Sequence, residues 1–389
     1  MYVVVPGDLE IRTGGYGYDR RIVAGLRERG WAVDVLRLDD SFPAPTPAAR
    51  DEAARVLAAI PDGALVLMDN LAFGALPDEV GREAVRLRVV ALVHHPLAEE
   101  TGIDPALASA LETSARRAFA AARAVVVTSR SIAGRLAHYG VSADRITVVE
   151  PGTDPAPLAR GSEGARLEAQ AVKPAQAALK DCATSDHQPS ALSPQRSDLE
   201  LLCVATLTPR KGYELLIRAL ASIPQRNWRL TCAGSLDRDP PTVARVRAQL
   251  RDSALEDRVT LAGDLDARAL AAQYGRADLF VLPTLFEGYG MAVAEALARG
   301  LPVVSTATGA IDCLVTGGVG VRSDSPAGIV VPPGDVRAFA QALARVLGDA
   351  DLRARLTHGA RIARRRLSRW DDACAKMATV LERAGAGGE

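Results

Sequence analysis

The stretch DLFVLPTLFEGYGMAVAEALARGLPVVST, residues 278–306, reads as strand, turn, helix and strand in succession. "DLFVLPT" and "PVVST" are apolar runs without the in/out alternation of a half-exposed strand, so both of their faces are expected to be buried. Between them "MAVAEALA" consists of good helix formers and stops at Gly300, a residue that caps helix ends well. Two buried strands joined by a helix make the repeating unit of a doubly wound α/β sheet.

The same rhythm extends outward in both directions. In the first 155 residues, "YVVV" at 2, "WAVDVL" at 31, "ALVLMD" at 64, "RVVALV" at 88, "AVVVTS" at 124 and "ITVVE" at 146 alternate with helical patterns. It fails over 156–198, where Ala, Gln, Ser and Pro dominate and a short helix around "ARLEAQAVKPAQAALKD" is the one plausible element, so a linker or insertion is expected. It resumes with "ELLCVAT" at 200, "WRLTCAG" at 228, "RVTLAG" at 258, "DLFVLPT" at 278, "PVVST" at 302 and "GIVVPPG" at 328. Two Rossmann-like domains follow, 1–155 and 199–369, with a terminal helix over 370–385 expected to pack back onto the first. Ligands of such sheets bind beyond the carboxyl ends of the strands, so candidate chemistry belongs just after them.

Composition narrows the partners. The chain has 389 residues, enough for two domains with separate cores, and is 48% hydrophobic and 24% charged, as a soluble globular protein is. Lys plus Arg and Asp plus Glu both number 47, so no net charge draws the molecule onto nucleic acid or an anionic membrane, and any anion site must be local. Five scattered cysteines without CxxC spacing suggest neither a disulfide frame nor a zinc site. The start "MYVVVPGDLE" is unlike a signal peptide, and no apolar run approaches the ~20 residues that span a bilayer. A cytoplasmic protein is expected, at most peripheral at the inner membrane surface. The Arg-rich "RIARRRLSRWDDACAKMATVLERA" at 361–384 could lie on a membrane, but Trp370, Met377, Val380 and Leu381 fit a packed helix better.

Several strand ends carry reactive side chains. After "DLFVLPT", Glu287 falls in the turn and Glu295 within the helix; spacing alone leaves open whether they form one site or are a loop acid and a solvent-facing helix acid. Gly288 and Gly290 would let the backbone approach a ligand, and the amides at the helix start favour an anion. In "VATLTPRKGYELLIRAL", 204–220, Arg210 and Lys211 stand at a helix start, against its macrodipole, a placement that an anion between them would relieve; two solvated loop charges are the alternative. "TGGYGYDRR" puts Gly14, Gly15 and Gly17 at the mouth of the first helix without GxGxxG spacing, which argues against a nicotinamide dinucleotide and for a loop near phosphate or acceptor. "VVALVHHPL" ends a strand at His94 and His95, either able to supply a hydrogen bond or a proton. Asp237, Asp239, Asp264 and Asp266 sit where helix caps and turns want Asp, so they are read as caps rather than metal ligands.

In combination, "PRKG", "LFEGYGMAVAEALARGLPVVST" and "GIVVPPGD" resemble the retaining glycosyltransferases of family 4, with the GT-B fold of two Rossmann-like doubly wound domains facing across a cleft. The likeness covers nearly the whole chain outside 156–198, and its most specific part is the pair of glutamates, Glu287 and Glu295, in register with the basic and glycine loops. The resemblance implies a nucleotide-diphosphate sugar donor on the second domain and an acceptor on the first. By the same resemblance Glu295 would bind ribose hydroxyls and Glu287 would face the sugar. The backbone of Gly288, Tyr289, Gly290 and Met291 would hold sugar hydroxyls and phosphate. Lys211 would neutralise the leaving diphosphate, His94 would lie near the reaction centre, and the Gly14–Gly17 loop would border phosphate and acceptor.

Two departures stand out. Where the family reads glycine-arginine-leucine this chain has Ala205, Thr206 and Leu207, so a diphosphate-binding arginine is replaced by Thr206, with Arg210 a possible substitute. The family's asparagine before the glycine that ends the first domain is replaced by Glu150 and Pro151 ahead of Gly152. The expected activity is retaining, metal-independent transfer to an acceptor hydroxyl, with no cofactor beyond the nucleotide-sugar substrate. The acceptor is left open among a lipid-linked saccharide, a free sugar and a small metabolite. A nucleotide-sugar epimerase or phosphorylase on the same fold, or a catalytically silent nucleotide-sugar-binding protein, are the alternatives.

Overall fold

The computed structural model describes residues 1–162, 164, 198–317 and 325–386. Most of the segment 156–198, including the expected short helix and Cys182, lies outside them. The first sheet contains β1 (Tyr2–Pro6), β2 (Asp34–Leu38), β3 (Leu65–Asp69), β4 (Arg88–Val93), β5 (Ala124–Val127) and β6 (Ile146–Val148). These pair in parallel in the order β2-β1-β3-β4-β5-β6. The second contains β7 (Leu199–Val204), β8 (Trp228–Ala233), β9 (Val259–Gly263), β10 (Leu279–Leu282), β11 (Val303–Thr306) and β12 (Gly328–Val331), parallel in the order β12-β11-β10-β7-β8-β9. These are the two facing Rossmann-like sheets of a GT-B fold.

The strands read as they do because both faces are covered. Val3, Val4 and Val5, and likewise Leu279, Phe280, Val281 and Leu282, are all buried, which is why their sequence shows continuous apolar runs rather than alternation. Helix starts are fixed by short polar side chains that accept from free backbone N–H groups. Thr13 caps the helix Gly14–Glu28 through Tyr16 N, Asp239 caps Pro240–Asp252 through Thr242 N, and Asp266 caps Ala267–Arg276 through Ala269 N. Asp239 and Asp266 are thus helix caps, while Asp237 and Asp264 lie in the loops ahead of them.

The terminal helix Trp370–Gly385 leaves the second domain and packs against Gly14–Glu28, burying Met377, Val380 and Leu381 in the core cluster that also holds Val3, Val5, Tyr18 and Ile22. Chain leaving the first domain and chain returning to it run side by side: Thr153 N donates to Ser368 O at 2.8 Å, and the Ser368 hydroxyl lies 3.3 Å from the Glu150 carboxylate. Among the described residues Cys203, Cys232, Cys313 and Cys374 are free, and no helix is long and apolar enough to cross a membrane.

Strand order fixes where a ligand can enter. In each sheet one pair of neighbours has its connections running off in opposite directions, β1 and β3 in the first sheet, β7 and β10 in the second. The loops that follow such a pair diverge and leave a crevice.

Candidate active site

At the second crevice the loop after β7 carries Thr206, Arg210 and Lys211, and the loop after β10 carries Phe286, Glu287 and Gly288. The two loops are stitched together by Leu285 N donating to Arg210 O at 2.7 Å and by the Arg210 guanidinium donating to Phe286 O at 3.0 Å. That places the Lys211 ammonium in direct contact with the Glu287 carboxylate and Arg210 Nη1 3.9 Å from its other oxygen. Burial raises the Glu287 carboxyl, but the charges of Lys211 and Arg210 outweigh it and hold the group below the usual carboxylate range. Burial and the charge of Arg210 push Lys211 down, so its protonated form depends on Glu287. The cations at the helix start therefore have an anion within their own domain, Glu287.

Glu295 has a separate set of partners. It sits in the helix Met291–Ala298, where its carboxylate accepts from the Tyr274 hydroxyl at 3.0 Å. Arg299 lies over the Tyr274 ring at 4.3 Å from its centroid. Burial raises the Glu295 carboxyl above its ordinary value. Glu287 and Glu295 thus flank the start of one helix without sharing a partner. The turn between them has no freedom to spare. Gly290 has φ +103°, a conformation that strains any side chain, and a Cβ on Gly288 would sit 2.2 Å from His94 O.

At the first crevice His94 directly follows β4, and its Nε2 lies 3.0 Å from Asp19 Oδ1 and 3.3 Å from Asp69 Oδ2. Both aspartate side chains are nearly inaccessible, 1% and 2% exposed, against 19% for His94. Burial alone would favour neutral imidazole, but the charge and hydrogen bond of Asp19, reinforced by Asp69, raise His94 to about 10, so it is an imidazolium at neutral pH. The three groups place ligand atoms within 4.8 Å of one another, a donor set that suits a cation, and the protonated ring itself supplies the positive charge. Asp19 Oδ2 is buried without a hydrogen-bond partner, and burial raises the Asp19 carboxyl.

The two crevices meet. Gly288 touches the His94 carbonyl, Gly15 lies against the His94 ring, and Met291 Sδ comes near Gly14. Phe286, 7% exposed, is embedded in the first domain's core cluster, its ring 5.8 Å from that of His95 and 5.0 Å below the Arg135 guanidinium. His95 Nε2 and Arg210 Nε, from opposite domains, each lie 3.0 Å from an oxygen of Glu100.

Gly14, Gly15, His94, Arg210, Lys211, Glu287, Gly288 and Met291 are therefore gathered around one cleft. Thr206 occupies the same loop as Arg210, its carbonyl accepting from Thr208 N at 2.9 Å. Gly17 lies one turn into its helix beside Arg20, and Tyr289 is buried, with burial and the charge of Glu150 raising its phenol. Sequence reasoning missed Asp19, Asp69, Glu100 and Phe286. Asp69 ends a buried strand, a signal that was available. Asp19 and Glu100 carry none, because each is an ordinary acid on a helix or loop until the other chain segments are in place.

Residues 198–349 match the family described as "Glycosyl transferases group 1", and residues 19–157 match "Glycosyltransferase Family 4". Among curated proteins the chain is similar to the D-inositol 3-phosphate glycosyltransferase of Xylanimonas cellulosilytica, 32% identical over 68% of this chain and 58% of that one. It is also similar to that of Salinispora tropica, 31% identical over 76% and 60%. The matched stretch spans about three-fifths of each relative's own length. Among solved structures, sucrose-phosphate synthase from Thermosynechococcus elongatus superposes with a TM-score of 0.74 at 20% identity, covering 98% of both chains. HepE of Anabaena, solved in complex with UDP and glucose, gives 0.71 at 16% identity, covering 98% of this chain and 100% of that one. These two likenesses are likenesses of fold.

Proposed function

The chain belongs to the group 1, family 4 glycosyltransferases, and from that premise we propose that it transfers a sugar from a nucleotide-diphosphate sugar to an acceptor hydroxyl, retaining the anomeric configuration and using no metal. The observation that carries this reading is the cluster of Lys211, Arg210 and Glu287 at the second crevice, covered by the His94 turn of the other domain.

As the bond from the anomeric carbon to the diphosphate oxygen lengthens, negative charge builds on the phosphate and positive charge on the sugar. Lys211, Arg210 and the free amides at the start of the helix Met291–Ala298 are suited to the first, and Glu287, held ionised, to the second. Fixed groups of this kind need no reorganisation when the charge develops, and here they do the work that a metal does elsewhere. The acceptor oxygen attacks from the face the diphosphate leaves, and its proton passes to the departing phosphate oxygen. Glu295 takes the ribose hydroxyls. For the acceptor we favour a small phosphorylated polyol, the class named in the D-inositol 3-phosphate glycosyltransferases to which the chain is similar.

The test is a panel of UDP- and GDP-sugars offered with inositol, inositol phosphate and simple sugars in the presence of a chelator, with products identified by mass spectrometry and their anomeric configuration by NMR. A retained glycoside formed in chelator is expected. Conversion of the donor sugar without acceptor would mean an epimerase, phosphate-dependent turnover a phosphorylase, and tight nucleotide binding with no turnover a binding protein.

A further inference from the structure

Arg210, Lys211, Glu287 and Glu100 form a quartet of two cations and two carboxylates, so the loop offered to a diphosphate carries no surplus positive charge. Three of the four come from the second domain. Glu100 comes from the first, just after the turn Leu97–Glu99. We propose that Glu100 is a placeholder for the donor's diphosphate: its carboxylate occupies the Nε edge of Arg210 until the diphosphate takes that edge, so donor binding exchanges an interdomain ion pair for a pair with the ligand. This rests on the donor reading above.

The exchange falls to Glu100 because its partner acid cannot move. Glu287 is buried, bound to Lys211, and its own backbone N–H donates to the Thr308 hydroxyl at 3.0 Å. The Glu100 side chain is 38% exposed and is shared between Arg210, His95 and the Thr101 backbone N–H, which donates to it at 3.1 Å, so it keeps partners, the His95 ring and Thr101 N, after Arg210 leaves. Arg210 stays aimed when released, because its Nη1 remains tied to Phe286 O. Protonation of Glu100 cannot work the exchange. Burial raises the Glu100 carboxyl, but the His95 hydrogen bond and the Arg210 charge bring it down to about 2, so it is ionised at any working pH and yields only to a competing anion. The arrangement also assigns a role to the departure at Thr206. With the family's arginine absent there, Arg210 is the second cation for the diphosphate, and an acid from the opposite domain governs its availability.

The experiment measures binding of UDP, GDP and the phosphate-free nucleosides uridine and guanosine by calorimetry to the full chain and to Glu100→Gln, Arg210→Ala and the double variant. Glu100→Gln should bind the preferred nucleoside diphosphate about fivefold more tightly, leave nucleoside affinity unchanged, and lose its advantage in the Arg210→Ala background. Unchanged or weaker diphosphate binding by Glu100→Gln, or a gain that persists without Arg210, overturns the placeholder role while leaving the donor site intact. If the parent protein binds neither diphosphate, the donor reading itself falls. Glu100→Ala, which removes the carboxylate and its hydrogen bonds together, should follow Glu100→Gln; opposite behaviour would show that the side chain supports structure alone.

Discussion

The two crevices are built alike and charged differently. Each lies where the strand connections of a parallel sheet diverge, and each holds a cation against buried carboxylates. In the first domain one imidazolium is held by two aspartates, so the acids are in surplus. In the second, two cations share one acid of their own domain, and neutrality is completed by Glu100 from across the cleft. The difference teaches that topology provides the position of a site but not its ligand. A removable acid next to paired cations suits an incoming anion, whereas two immovable acids around a histidine fix a charge in place.

Substitutions can break this contrast at several strengths. The largest effect is expected for Glu287→Ala, which removes the buried acid of the second crevice. Turnover should fall by about two to three orders of magnitude, more than nucleoside diphosphate binding, which loses only the support that Glu287 gives to the charge of Lys211. Steady-state kinetics alongside calorimetry check this, and parallel losses in both would show that Glu287 mainly positions the donor. Lys211→Ala should come next, weakening diphosphate binding by about tenfold to a hundredfold, the worth of a charged hydrogen bond, with nucleoside binding spared.

The first crevice should respond through pH instead. His94 is raised from its ordinary 6.5 to about 10, so its protonation favours the folded state fully below pH 6.5, and that contribution is lost as pH climbs toward 10. Asp19→Asn removes the main attractive partner, so most of that contribution should be missing, and melting temperatures recorded from pH 6 to 10 should separate the two proteins most at the acid end and converge toward the alkaline end. Identical profiles would remove the imidazolium from the account. The smallest effect is expected for Asp266→Ala, outside both crevices. Its cap on Ala269 N is worth about 1 kcal/mol of stability, and donor affinity should not change. Altered donor affinity would extend the second crevice beyond the two loops described.

Much of this could be read from the chain. The continuous apolar runs located the strands because parallel strands are covered on both faces, and the reactive loops followed because ligands gather at strand ends. "FEGYG" with "PRKG" identified both sides of the second crevice for that reason. The first crevice was legible only at His94, since Asp19 stands on a helix where it looks like any polar residue of an amphipathic pattern. Glu295 shows the same limit: its position in the helix was evident, but its partner Tyr274 was not.

The sequence by itself determined the elements, the caps, the two-sheet architecture and the residue types at each strand end, because these depend on local periodicity and backbone preference. Tertiary structure alone decided the pairings. Lys211 meets Glu287 across 76 residues and His94 meets Asp19 across 75, because strand order brings distant loops to one crevice. Glu100 meets Arg210 because two domains dock. A charge's consequence is set by what lies within a few ångströms of it, and that distance is fixed by topology and packing, which spacing along the chain does not encode.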